Sequence, residues 1–190
     1  MSHVERMPPL DPAAMNEAQR NAAQALAAGP RGGVKGPFVA LLRSPELMDR
    51  LQKVGEYLRF DSSLEPRIGE FLMLVVARRW TQQFEWVVHV PLALKAGIKA
   101  ESVAGLADGR RPVGMAKDEA IAYDFCDELL RTCGVSDATY RQALDQFGEP
   151  GIIDLLGLVG YFTTVSMIMN VAHTPAPVAE RANLLQPFPF

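Results

Sequence analysis

The punctuation of this chain constrains its fold more than any single residue does. Asp11-Pro12, Ser44-Pro45 and Pro66 each mark a helix start, and Gly29-Pro30, Gly97 and Gly134 each mark a stop. Proline at the first helical position gives up an N–H that has no intrahelical partner anyway. Glycine just past the last turn tolerates the backbone that closes a helix. Between these marks the apolar residues recur three or four apart, as in Leu47, Leu51, Val54 and Leu58. No stretch alternates as a half-buried strand does. The longest candidate, residues 71–76, is six apolar residues that continue a helical segment. The pattern predicts an all-α fold of six to eight helices.

The predicted helices can be placed. Asp11 caps one that runs through the Ala-rich stretch to Ala28, and Ser44 caps one that runs to Phe60. Pro66 opens a helix to Arg79. Thr81 is the expected cap of the next, which Gly97 ends. Short and amphipathic segments follow at 100–107 and 117–132, then a Ser136-capped helix to Phe147 and a long apolar helix led by Pro150. Residues 31–37 read as a connector without phosphate-loop spacing, although their glycines also let backbone approach a ligand. Pro91 falls inside a helix and removes a bond to the Val87 carbonyl. That either frees a carbonyl near a site or only bends the helix.

Bulk properties exclude several classes. At 190 residues, with 48% hydrophobic and 22% charged residues, the chain suits one globular unit. A net charge of -3 and the lack of a basic stripe argue against a nucleic-acid partner. Residues 1–12 lack the positive cluster and apolar run of a signal peptide. The longest apolar stretch, 152–172, reaches membrane-span length, but Asp154, Thr163, Thr164, Ser166 and Asn170 favour a buried helix over a span. Cys126 and Cys133 are seven apart, roughly 10 Å along a helix axis, beyond disulfide reach. They read as small core residues in a reducing cytoplasm.

The chemistry concentrates in one region. Glu85 and His89 are four apart, so a helix puts them on one face with Cβ atoms about 5–6 Å apart. Gln82 is expected to join that face, and Glu70 lies on the preceding helix. A carboxylate beside an imidazole orients the ring and raises its basicity. The flanking residues are apolar, so this face is expected to line a site. Glu70, Glu85 and His89 are the candidate catalytic residues. Gln82, Arg79 and Trp86 are candidate substrate contacts. Arg78 and Arg79 suit either a carboxylate fork or the negative end of the helix dipole, and at least one is assigned to the latter. Tyr161 reads as a core tyrosine with one hydrogen bond, and His3 and His173 as residues of a chain end and a helix end.

Residues 67–98 resemble the core motif of the carboxymuconolactone decarboxylase and alkylhydroperoxidase D superfamily. The likeness extends over roughly residues 36–175. It is carried by Glu70-Phe-Leu-Met-Leu-Val-Val-Ala-Arg, by Phe84-Glu-Trp-Val-Val-His-Val-Pro-Leu-Ala-Leu-Lys-Ala-Gly97, and by Leu155-Leu-Gly-Leu-Val-Gly-Tyr-Phe-Thr-Thr. The peroxidase branch has a glutamate at the place of Glu70 and a histidine at that of His89. Its Cys-x-x-Cys pair falls on Gln82 and Glu85, so both thiols are missing here and the branch's peroxiredoxin activity has no sulfur to work with. The decarboxylase branch has Glu85 and His89 without thiols.

The resemblance therefore implies an alkylhydroperoxidase D-like helical bundle and a cofactor-free, metal-free lyase that acts on a small carboxylated or lactone compound from aromatic degradation. It implies a cytoplasmic homo-oligomer, a trimer or hexamer, with no membrane partner. A peroxidase relative without redox cysteines and a non-catalytic small-molecule binder are the alternatives. The expected organisation is an extension over 1–35 with one helix, the decarboxylase-like domain over 36–175, and a Pro-rich tail over 176–190 that wraps a neighbouring subunit.

Overall fold

The computed structural model describes residues 4–177 and 184–186, so the expectations for His3, Pro187 and Pro189 lie outside the described residues. A 3-10 turn, Pro12–Ala14, precedes eight helices: α1 (Glu17–Ala28), α2 (Pro37–Leu41), α3 (Pro45–Phe60), α4 (Pro66–Arg79), α5 (Gln83–Lys95), α6 (Ala100–Ala107), α7 (Lys117–Thr132) and α8 (Asp137–Ala172). Among the described residues there is no strand. The all-α expectation holds.

Helix α4 is the central rod. From Phe71 to Arg78 every residue is buried, as a helix that is apolar on all sides requires. It packs on α5, α6, α7 and α8. Arg67, on its first turn, ties it to α7 by bonding both Asp118 and Glu119. A satellite cluster of Leu26, Phe38, Leu41, Leu42 and Met48 fastens α1 and α2 to α3. The N-terminal segment is therefore packed onto the bundle rather than trailing from it.

Several local expectations are corrected. The first helix does not run unbroken from Asp11. Asn16 interrupts it with a capping box, its Oδ1 accepting from the Gln19 N–H while the Gln19 side chain accepts from the Asn16 N–H. The connector runs straight into α2, entered through Gly36 at φ 56, where an added Cβ would fall 2.6 Å from the Phe84 ring. On α3, Leu47 and Val54 are about half exposed while Met48, Gly55 and Leu58 are buried, so the inward face is rotated from the one the spacing suggested. Cys126 is buried but Cys133 is exposed, in the left-handed cap of α7, so the two are not a core pair.

Helix α8 is broken where expected. Gly148, at φ 67, separates a segment ending at Phe147 from the apolar helix that follows. By length and composition α8 could cross a membrane. Its inner face is instead packed on α2, α3, α4 and α7. Asp154 on that face accepts hydrogen bonds from the Ser63 N–H and Oγ–H, both at 2.7 Å, and from the Tyr57 hydroxyl at 3.1 Å. The described part of the tail, residues 184–186, docks on its own chain. Gln83 exchanges two hydrogen bonds with the Leu185 backbone, and Arg78 donates to the Gln186 carbonyl at 2.7 Å.

Candidate active site

Helix α5 begins one residue later than predicted, and the cap is Gln82, not Thr81. Thr81 sits in the left-handed region at φ 45. This turn swings the Gln82 side chain back over the helix end, where its Oε1 accepts from the N–H groups of Phe84 and Glu85 at 2.5 and 3.2 Å. Its Nε2 donates to Asn170 on α8. Gln82 is thus a buried clamp between the α4–α5 turn and α8, not a member of the Glu85–His89 face.

Glu85 and His89 share one face of α5, as their spacing requires. His89 Nε2 lies 3.1 Å from Glu85 Oε2. Across the groove, Glu70 on α4 places Oε2 2.7 Å from His89 Nδ1. The imidazole is therefore held between two carboxylates, one on each ring nitrogen. Phe162 of α8 packs edge-on against the ring at 5.5 Å between centroids. His89 is only 3% exposed and Glu85 5%. Burial alone would lower the basicity of this ring. The hydrogen bonds that the ring donates to Glu70 and Glu85, and the charges of those carboxylates, outweigh it and raise the His89 pKa to about 9. His89 is an imidazolium at neutral pH.

A cavity of about 320 Å³ opens on this cluster. The 30–35 connector, the starts of α2 and α5, the end of α3 and the middle of α8 surround it. Glu85 and His89 line it, whereas Glu70 stands behind the ring, outside the lining. Phe38, Phe60, Phe84 and Phe162 form apolar walls. The volume suits one small molecule at the lower end of the range for ligand sites.

The sequence reading and the cavity differ in specific ways. Arg79 is exposed and borders a separate cleft against α7. Trp86 is buried on the opposite side of α5, facing α6. Neither lines the cavity, and Gln82 does not either. One residue step on an α-helix is a rotation of about 100°, so Trp86 leaves the face that Glu85 and His89 share. Conversely, Arg31, Lys35, Arg59 and Tyr161 all line the cavity. Arg31 and Lys35 sit in the connector, where no periodicity could flag them. Arg59 is the last-turn cation of a helix, which has an ordinary dipole explanation. Tyr161 is a core tyrosine with a hydrogen bond to Arg31, as expected, and it also lines the cavity, its hydroxyl lying over Gly55 beside Arg31.

No cysteine lines the cavity. The Cys126 thiol is fully buried and burial pushes its pKa well up, so it stays protonated and inert. Among the described residues no group of His, Cys, Asp and Glu is arranged to hold a metal ion. The carboxylates that could do so are engaged with the imidazole.

No family model matches the sequence, and no curated protein matches it significantly. Solved structures do. One is an uncharacterized peroxidase-related protein with an alkylhydroperoxidase AhpD core from Ralstonia eutropha JMP134. It is 15% identical, superposes with a TM-score of 0.77, and the match covers 98% of this chain and 100% of that one. An uncharacterized peroxidase-related protein from Silicibacter sp. TM1040 is 14% identical with a TM-score of 0.72, covering 94% and 93%. At these identities the likeness establishes the fold. The chain has the AhpD-like all-α fold.

Proposed function

We propose that this protein is an acid–base enzyme of the carboxy-lyase type, independent of thiols and added cofactors, that acts on a small carboxylated or lactone compound. One observation carries the reading: a buried imidazolium clamped by two carboxylates, with one of them facing the cavity. Glu70 fixes the ring through Nδ1, as the orienting acid of a catalytic triad does. Loss of carbon dioxide breaks the bond between the substrate's carboxylate and its α-carbon, and the electron pair remains on the skeleton as a dienolate. His89 Nε2 passes its proton to Glu85, Glu85 delivers it to the carbanionic carbon, and solvent reprotonates the imidazole. The positive charge on His89 also stabilises the developing oxyanion beside the phenylalanine walls. The same reading makes the protein a cytoplasmic homo-oligomer, trimer or hexamer. The half-exposed apolar side chains of Ile153, Met167 and Val171 on the outer face of α8 support that assembly.

The names of the two structural neighbours suggest a peroxidase reading. A cavity without sulfur disfavours it for this chain. The test compares turnover of carboxymuconolactone-type lactone acids by the wild type, His89→Ala and Glu85→Gln. General acid–base assistance is worth about 100- to 10,000-fold, and losses of that order are expected. Equal rates in all three proteins would remove both residues from the mechanism. Peroxide consumption above background in the wild type would restore the peroxidase reading.

A further inference from the structure

Two guanidiniums share the cavity with the acid–base cluster, and neither is hydrogen-bonded to it. Arg31 has no carboxylate within ion-pair distance among the described residues. Its hydrogen bond to the Gln52 carbonyl is long, at 3.4 Å, and its guanidinium stacks 4.6 Å from the Phe38 ring centre. Arg59 reaches a carboxylate, Glu70, only at 3.9 Å, and Glu70 is already bonded to His89. The Nε atoms of both arginines are buried without hydrogen-bond partners. Internal bonding thus does not explain why two costly cations point into one half-dry space. Tyr161 is hydrogen-bonded to Arg31 and lies in the field of both Glu85 and Arg59. Gly55 makes this possible, because a Cβ there would overlap the Tyr161 hydroxyl and lie 2.7 Å from Arg31 Nη2.

We propose that Arg31, Arg59 and the Tyr161 hydroxyl form a carboxylate-binding subsite, which holds a carboxylate of the ligand other than the one that is lost, and that the ligand's small apolar, ring-sized body lies against the phenylalanine walls. Guanidiniums match the two oxygens of a carboxylate, and the aromatic lining suits a flat apolar body. This assignment rests on the proposed function in taking the cavity as the substrate site, and it identifies the part of the substrate that is held. It gives the N-terminal segment a role, since Arg31 comes from the connector that follows α1.

Calorimetric titration of the full chain with benzoate and with its neutral isostere benzamide, at pH 7 and low salt, tests the subsite. Benzoate is expected to bind saturably and at least about 10-fold more tightly than benzamide, as charge-assisted hydrogen bonds require. Arg31→Gln and Arg59→Gln should each weaken benzoate by about 10- to 100-fold and leave benzamide unchanged. That selectivity ratio would not move if the arginines only supported the fold. His89→Gln should abolish turnover and keep the ratio, so a failed lyase assay and a failed subsite give different results. Equal binding of the two probes, no binding of benzoate, unchanged ratios in both arginine variants, or loss of benzoate preference in His89→Gln would each overturn the assignment.

Discussion

The clamp on His89 should make the folded protein more stable below neutral pH than above it. The perturbation is a pH increase from 6.5 to 9.5. An unfolded histidine titrates near 6.5, and the folded one near 9. Because the folded value is the higher, the folded state holds more protons across this window and stability falls as pH rises. The contribution is fully present below about pH 6.5 and is lost as pH passes 9. The gap corresponds to about 3 kcal/mol at 1.36 kcal/mol per unit, and the ring is buried, so solvent does not screen it. Urea denaturation at half-unit pH steps measures it, with His89→Gln as the reference that removes other titrating groups. The wild type should lose about 3 kcal/mol relative to the variant between pH 6.5 and 9.5. A parallel pair of curves would refute the claim that the carboxylates outweigh burial. A nitrogen-15 NMR titration of the ring with a midpoint at or below 6.5 would do the same.

Two further outcomes follow from local geometry. Gly55→Ala gains about 0.5–1 kcal/mol of helix propensity, but the new methyl collides with Tyr161 and Arg31. Overpacking at about 1–3 kcal/mol should win, giving a less stable protein by urea denaturation with weakened benzoate binding, and a more stable one would show that the contact yields freely. Thr81→Gly relieves a β-branched residue held at φ 45. It should raise the unfolding free energy by up to about 1 kcal/mol, and a loss of that size would mean that the Thr81 side chain makes an unrecognised contribution.

Much of this architecture is written locally in the chain. Proline at the starts of α3 and α4, the Ser136 cap of α8, and the break at Gly148 all depend on neighbours within four residues, so the order and ends of most helices follow from the sequence. The Glu85–His89 pair is equally local, because a four-residue spacing fixes the shared face. Where a local rule had a competitor, the reading failed. Asn16 outcompetes continuation of the first helix, and the left-handed Thr81 hands the cap of α5 to Gln82. What lies across a groove is different in kind. That Glu70 closes on Nδ1, that Trp86 and Arg79 face elsewhere, and that Arg31, Arg59 and Tyr161 converge on one cavity depend on how α3, α4, α5 and α8 pack. Packing is decided by volume and burial summed over the whole core, and no short window of sequence contains that sum.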